Sequence, residues 1–298
     1  MEFPRQLSPE FIKDLSTEGL LAGILKRVRD DDTLLLALRG KYINIYYRGG
    51  NLIKIESNGS AGNYKASFDI NYIKNSETTL PELPTILGNK NDVKAWIEAF
   101  PKLKEIMDLF FTKHSKLERE FQQLVARENN CSTISNETEY FVTDIEFADT
   151  GVGARFDILA TRWLANERKD GSKCRAALIE MKYGDQALDG KAGLVEHLKD
   201  IDVFLRDEVK YKNLLGTMSL QFNQLAELGM IKFNRGIKVN EITLSDEKPE
   251  VIFLLANHNP RSTKLNTILK DEELDKYANS ENFDLRFFVA SFAGYGLH

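Results

Sequence analysis

Arg155-Phe156-Asp157-Ile158-Leu159-Ala160 and Ala177-Leu178-Ile179-Glu180-Met181-Lys182 are apolar runs interrupted by charge, and their reading decides the fold of this chain. β-Branched and aliphatic residues predict a strand in each, over Arg155–Trp163 and Arg175–Tyr183. A third run, Tyr140–Phe147, precedes them, and the spacers between the three are short and rich in Gly, Asp and Lys. Before the meander, Leu117, Phe121, Leu124 and Val125 mark one face of a helix that ends near Asn129-Asn130. After it, a helical region is expected over about 190–230, then a fully apolar strand Val251–Ala256, a helix Thr263–Tyr277 and a last strand Phe283–Phe292. The order helix, three strands, helix, strand, helix, strand predicts an α/β core in which a meander meets crossover-linked strands.

Upstream the pattern is different. Ser8, Pro9 and Glu10 start a helix by N-cap chemistry, and Phe11, Ile12, Leu15, Leu20, Leu21 and Ile24 continue it to about residue 29 with an interruption near Gly19. Leu34–Leu38, Tyr42–Tyr47 and Leu52–Ile55 predict strands, with Arg48-Gly49-Gly50-Asn51 as a hairpin turn between the last two. A helix is expected over about 91–111, kinked or divided by Pro101. This gives a β-rich N-terminal domain over 1–105 and a second domain over 106–298.

Composition bounds the function. The 298 residues carry 40 Lys+Arg against 45 Asp+Glu, a net charge of −5, so no global basic field draws the chain to nucleic acid or anionic lipid, and any polyanion site has to be local. The acidic excess falls in 106–298. Two cysteines and four scattered histidines exclude a disulfide framework or a thiolate zinc site. No apolar run approaches the roughly 20 residues of a membrane span, and the expectation is a cytoplasmic protein that does not engage membranes.

The chemistry rests on the charges inside the strands, which are costly unless paired or bound to metal. Alternation puts Glu180 and Lys182 on one face and Ile179 and Met181 on the other. If the strands of Asp157 and Glu180 are neighbours, two carboxylates and an ammonium converge. Together with a backbone carbonyl they suit Mg²⁺ or Mn²⁺. This constellation resembles the PD-(D/E)xK nuclease superfamily over roughly residues 115–290, although Phe156 stands where the name has a proline. The resemblance implies a restriction-endonuclease-like mixed sheet flanked by helices. It further implies a metal held by Asp157, Glu180 and the Met181 carbonyl, with Lys182 orienting or deprotonating an attacking water. DNA is the substrate expected from it. The family often adds an acidic residue from the preceding helix. Glu118 and Glu120 flank that helix's apolar stripe from opposite sides, so spacing does not choose between them, and the arrangement Glu-Phe-Gln-Gln-Leu favours Glu120. Gln186, Arg155 and Arg175 are candidate substrate contacts. The competing readings are an ordinary ion pair of Asp157 or Glu180 with Lys182 or Arg155, a nuclease-fold module without activity that binds nucleic acid or assembles with proteins, and an RNA-cleaving enzyme.

Other features carry less. The hairpin 39–65 interleaves five basic residues with tyrosines and suits either phosphate contact or a half-solvated sheet, and through it the N-terminal domain is a candidate surface for a substrate, a protein partner or a homodimer. Gly151-Val152-Gly153 and Gly184 to Gly190-Lys191 fit neither a dinucleotide fingerprint nor a phosphate-binding loop. His197 reads as a partly buried helix histidine, close enough in sequence to the acid pair to watch.

Overall fold

The computed structural model describes residues 5–59, 62–74, 78–131, 137–149, 154–189, 193–233, 239, 241–257 and 263–290. The two rejected glycine motifs, at 151–153 and 190–191, lie outside them in part or whole. The architecture is mixed α/β, with two five-stranded sheets that fall in two compact units, one of residues 1–135 with 223–233 and one of 136–222 with 234–298. The division therefore falls after the helix of residues 117–131, not before it at 105. Among the described residues no helix is long and apolar enough to cross a membrane.

In the first unit α1 (Pro9–Leu15) and α2 (Ala22–Arg29) precede an antiparallel sheet of β1 (Leu34–Leu38), β2 (Tyr42–Tyr47), β3 (Gly50–Ser57), β4 (Tyr64–Ser67) and β5 (Ile86–Leu87). Ser8 caps α1 as expected, its Oγ accepting from the Phe11 amide at 3.2 Å. The β2–β3 turn is the two residues Arg48 and Gly49, with φ of 48° and 70°, the paired left-handed conformation that matches strand twist. A Cβ on Gly49 would stand 2.5 Å from the Arg119 carbonyl carbon, so glycine is required there for space as well as for φ. Of the two expected outcomes, a kink or a division, the division does not occur: α3 (Lys90–Phe111) is one helix with Pro101 inside it. The lost backbone donor costs about 3 kcal/mol, and a face with Val93, Trp96, Phe100, Leu103, Ile106 and Met107 buried offsets it.

The next helix, α4 (Leu117–Cys131), belongs to this unit because its buried polar residues complete the first sheet. Gln123 accepts from the Gly49 amide at 2.8 Å and donates to the Thr33 carbonyl at 2.8 Å. Arg127 donates to the Leu34 carbonyl at 2.7 Å.

The second unit holds the meander β6 (Tyr140–Asp149), β7 (Ala154–Arg162) and β8 (Arg175–Tyr183), then α5 (Leu194–Leu205), the body of α6 (Glu208–Glu227), β9 (Glu250–Ala256), α7 (Thr263–Ile268), α8 (Glu272–Ala278) and β10 (Asp284–Ala290). Its strand order is β10-β9-β8-β7-β6. The meander pairs are antiparallel, and β8, β9 and β10 run parallel. A helix-containing crossover between successive parallel strands is what that geometry requires. The single helical regions expected over 190–230 and 263–277 are each two helices.

One ionic cluster crosses this whole sheet. Glu250, 0% exposed, receives Arg162 at 3.1 Å, Arg286 at 2.6 Å and the Tyr140 hydroxyl at 2.7 Å, with Arg175 3.9 Å away. Burial first, then the bond to Glu250, pushes the Tyr140 phenol up, so it stays a donor. Removing one member of a buried, hydrogen-bonded charge set costs about 3–5 kcal/mol. Glu250→Ala is expected to lower unfolding free energy by that amount in denaturant titrations, with no matching loss for an exposed acid such as Glu208→Ala.

Candidate active site

β7 and β8 are neighbours, and their register places Asp157 directly across from Glu180. The paired ladder runs from Arg162–Arg175 to Ile158–Ile179, one step short of them. Both strands continue past that last pair. There the Asp157 carboxylate takes over the ladder, its Oδ2 accepting from the Met181 amide at 2.9 Å. A residue's N–H and C=O point to the same side of its strand, so the Met181 carbonyl faces Asp157 too.

Glu180 and Lys182 share the face that alternation assigns them, and both are buried, at 2% and 5% exposure. Lys182 Nζ stands 4.0 Å from Glu180 Oε2, inside ion-pair range but beyond a hydrogen bond. The nearer basic group is His197 on α5, with Nδ1 3.2 Å from the same oxygen. Desolvation first, then the negative charge of Asp157, pushes the Glu180 carboxyl well above the usual range, opposed by Lys182. Two carboxylates this close cannot both be ionised without a compensating charge.

The other candidates are distributed differently. Arg155 is exposed two residues before Asp157 on β7 and so shares its face. Gln186 is exposed in the 3-10 turn Asp185–Ala187 just past β8, with no hydrogen bond to the acid pair. Arg175 lies apart from the acid pair. It lies five residues before Glu180, roughly 17 Å along the strand at about 3.3 Å per residue, and on the opposite face. Its guanidinium is committed to the Lys248 carbonyl at 2.6 Å, to Asp284 and to the Glu250 cluster. Glu120 falls in the first unit, where Arg48 holds its carboxylate at 2.9 Å.

Two residues at the site had little or no sequence signal. His197 showed only helical spacing, since the contact depends on how α5 meets β8. Glu146 stands opposite Asp157 on β6, between the pairs Ile145–Ile158 and Phe147–Phe156. It is half-buried with φ of 51°, a conformation rare for residues other than glycine and frequent near functional sites.

Asp157, Glu180 and the Met181 carbonyl are oxygen donors, the kind that a hard divalent cation takes. Among the described residues no group of three or more His, Cys, Asp or Glu side chains is arranged to hold a metal. Two carboxylates and a carbonyl suit an ion such as Mg²⁺, which is ordinarily bound through one or two carboxylates and keeps several waters. An open groove of about 630 Å³ in the first unit, lined by Leu20, Lys26, Lys90, Val93 and Ile97 among others, includes none of these residues. No family model, no curated protein and no solved structure matches the chain.

The raised Glu180 carboxyl has a consequence for stability. Above the unfolded value near 4.5 the native state holds a proton that the unfolded chain has lost. Stability contributed by this group is therefore present at low pH and lost as pH rises toward the folded value. In buffer with EDTA, Glu180→Gln is expected to be more stable than the parent at pH 8 by denaturant unfolding, the difference shrinking toward pH 4.5.

Proposed function

We propose that the chain is a divalent-cation-dependent nuclease of the PD-(D/E)xK type, with a restriction-endonuclease-like second unit, cutting phosphodiester bonds in DNA. The observation that carries this reading is the register pair Asp157–Glu180 with buried Lys182 on the same face, 4.0 Å from the Glu180 carboxylate. The antiparallel meander followed by parallel β9 agrees with the arrangement that the resemblance implies.

Asp157, Glu180 and the Met181 carbonyl would hold Mg²⁺ or Mn²⁺, which when bound supplies Lewis-acid stabilisation of phosphoryl oxygens and lowers the pKa of water. Lys182 has the position to orient a water beside that pair. Its ammonium also counters the negative charge that builds on the phosphoryl group during in-line displacement. Arg155, exposed on the Asp157 face, can contact the nucleic-acid backbone, as can Gln186 at the strand end. Arg175 and Glu120 have no part in this scheme, since both are engaged in ion pairs.

The second reading is a catalytically silent module of the same fold that binds nucleic acid or assembles with another protein. The pairing of Glu120 with Arg48 favours it, because the preceding helix then offers that carboxylate to an arginine and not to a metal ion. Incubation with supercoiled plasmid, single-stranded DNA and RNA, with Mg²⁺, Mn²⁺ or EDTA, separates the two. Cation-dependent nicking of DNA is expected, abolished by EDTA and reduced at least ~100-fold by Glu180→Ala or Lys182→Ala. Cleavage unchanged in both variants would sink the nuclease reading, and binding without cleavage under every condition would favour the silent module.

A further inference from the structure

A buried glutamate has three side-chain torsions, and only contacts from outside its own backbone fix where its oxygens lie. Glu180 is 3% exposed at its side chain, so protein groups and not bulk water surround its carboxylate. On β7 Asp157 stands across from it, from two residues along β8 comes Lys182 at 4.0 Å, and from α5 comes His197 at 3.2 Å. Of the two basic groups, the imidazole makes the direct contact and the ammonium does not. His197 is itself well anchored. It sits one turn into α5, whose residues Leu194, Leu198 and Ile201 are buried, and its own amide bonds the Gly193 carbonyl at 3.2 Å. The ring is 31% exposed, so one edge stays open while Nδ1 faces the carboxylate.

We infer that His197 is a positioning residue. Its Nδ1–H donates to Glu180 Oε2 and sets the rotamer in which that carboxylate faces Asp157. The inference rests on the nuclease reading, in which the two carboxylates share one cation. It adds a component that neither the strands nor the acid-x-lysine spacing supplies. Partners of this kind, which orient a ligand without binding the ion, typically change metal affinity 10–100-fold when removed.

The test is Mn²⁺ binding to the full chain by titration calorimetry, for the parent, His197→Ala and His197→Asn, with thermal melting of each as a control on folding. Asparagine places an amide N–H close to where Nδ1–H stood. The expected result is a Kd weakened about 10–100-fold by alanine and restored to within a few-fold by asparagine, with all three melting alike. Alanine binding as tightly as the parent would overturn the inference, and so would asparagine binding as weakly as alanine in a variant that melts normally. A parent that binds no Mn²⁺ would instead overturn the nuclease reading beneath it.

Discussion

Glu250 has no access to water, and a dry carboxylate persists only if cations and donors surround it. It draws one side chain from each other strand of its sheet: Tyr140 of β6, Arg162 of β7, Arg175 of β8 and Arg286 of β10. Each must lie on the same face at the same level, so the cluster specifies the register of all five strands. A slip of one residue would turn the inserted side chain to the other face. The neighbouring charges Asp284, Lys248 and Glu139 extend the same row.

That register then determines what happens toward the other end of β7 and β8, on the opposite face. With Arg162 fixed across from Arg175, Asp157 falls across from Glu180 where the ladder ends. The Asp157 carboxylate occupies the place of a backbone acceptor for Met181, which brings it against Glu180 without moving either strand. The stabilising cluster and the destabilising acid pair are thus two outcomes of one alignment. The first is a carboxylate satisfied by arginines. The second is a pair of carboxylates with one ammonium and one imidazole beside them, an arrangement that favours an added positive charge.

The first unit solves a similar problem with a strained turn. Arg48 adopts a left-handed conformation at 48°, unusual for a residue with a side chain, and is held there by Asp108 at 2.8 Å and Glu120 at 2.9 Å. Gly49 beside it lets the backbone approach α4, and Gln123 caps its amide. These bonds tie α4 to the first sheet. They also explain why the acidic residue chosen from its sequence is committed to an arginine.

Period and composition alone determined a good deal about this chain. Strands β1 and β2 follow from apolar runs, the Ser8 cap from its chemistry, the turn at Arg48-Gly49 from its glycines, and β6 to β10 from apolar runs bounded by polar spacers. Alternation by itself put Glu180 and Lys182 on one face. Those signals are local, and local forces decide them. The tertiary structure decided what depends on distant residues: that Asp157 meets Glu180, that His197 reaches the same carboxylate, that Arg175 turns to Glu250 on the other face and that α4 sides with the first sheet. A charged residue in a strand looks the same in sequence whether it awaits a ligand or completes an ion cluster. What separates the two is which partners the fold brings within about 3–4 Å, where desolvation makes a charge costly and a counter-charge decisive.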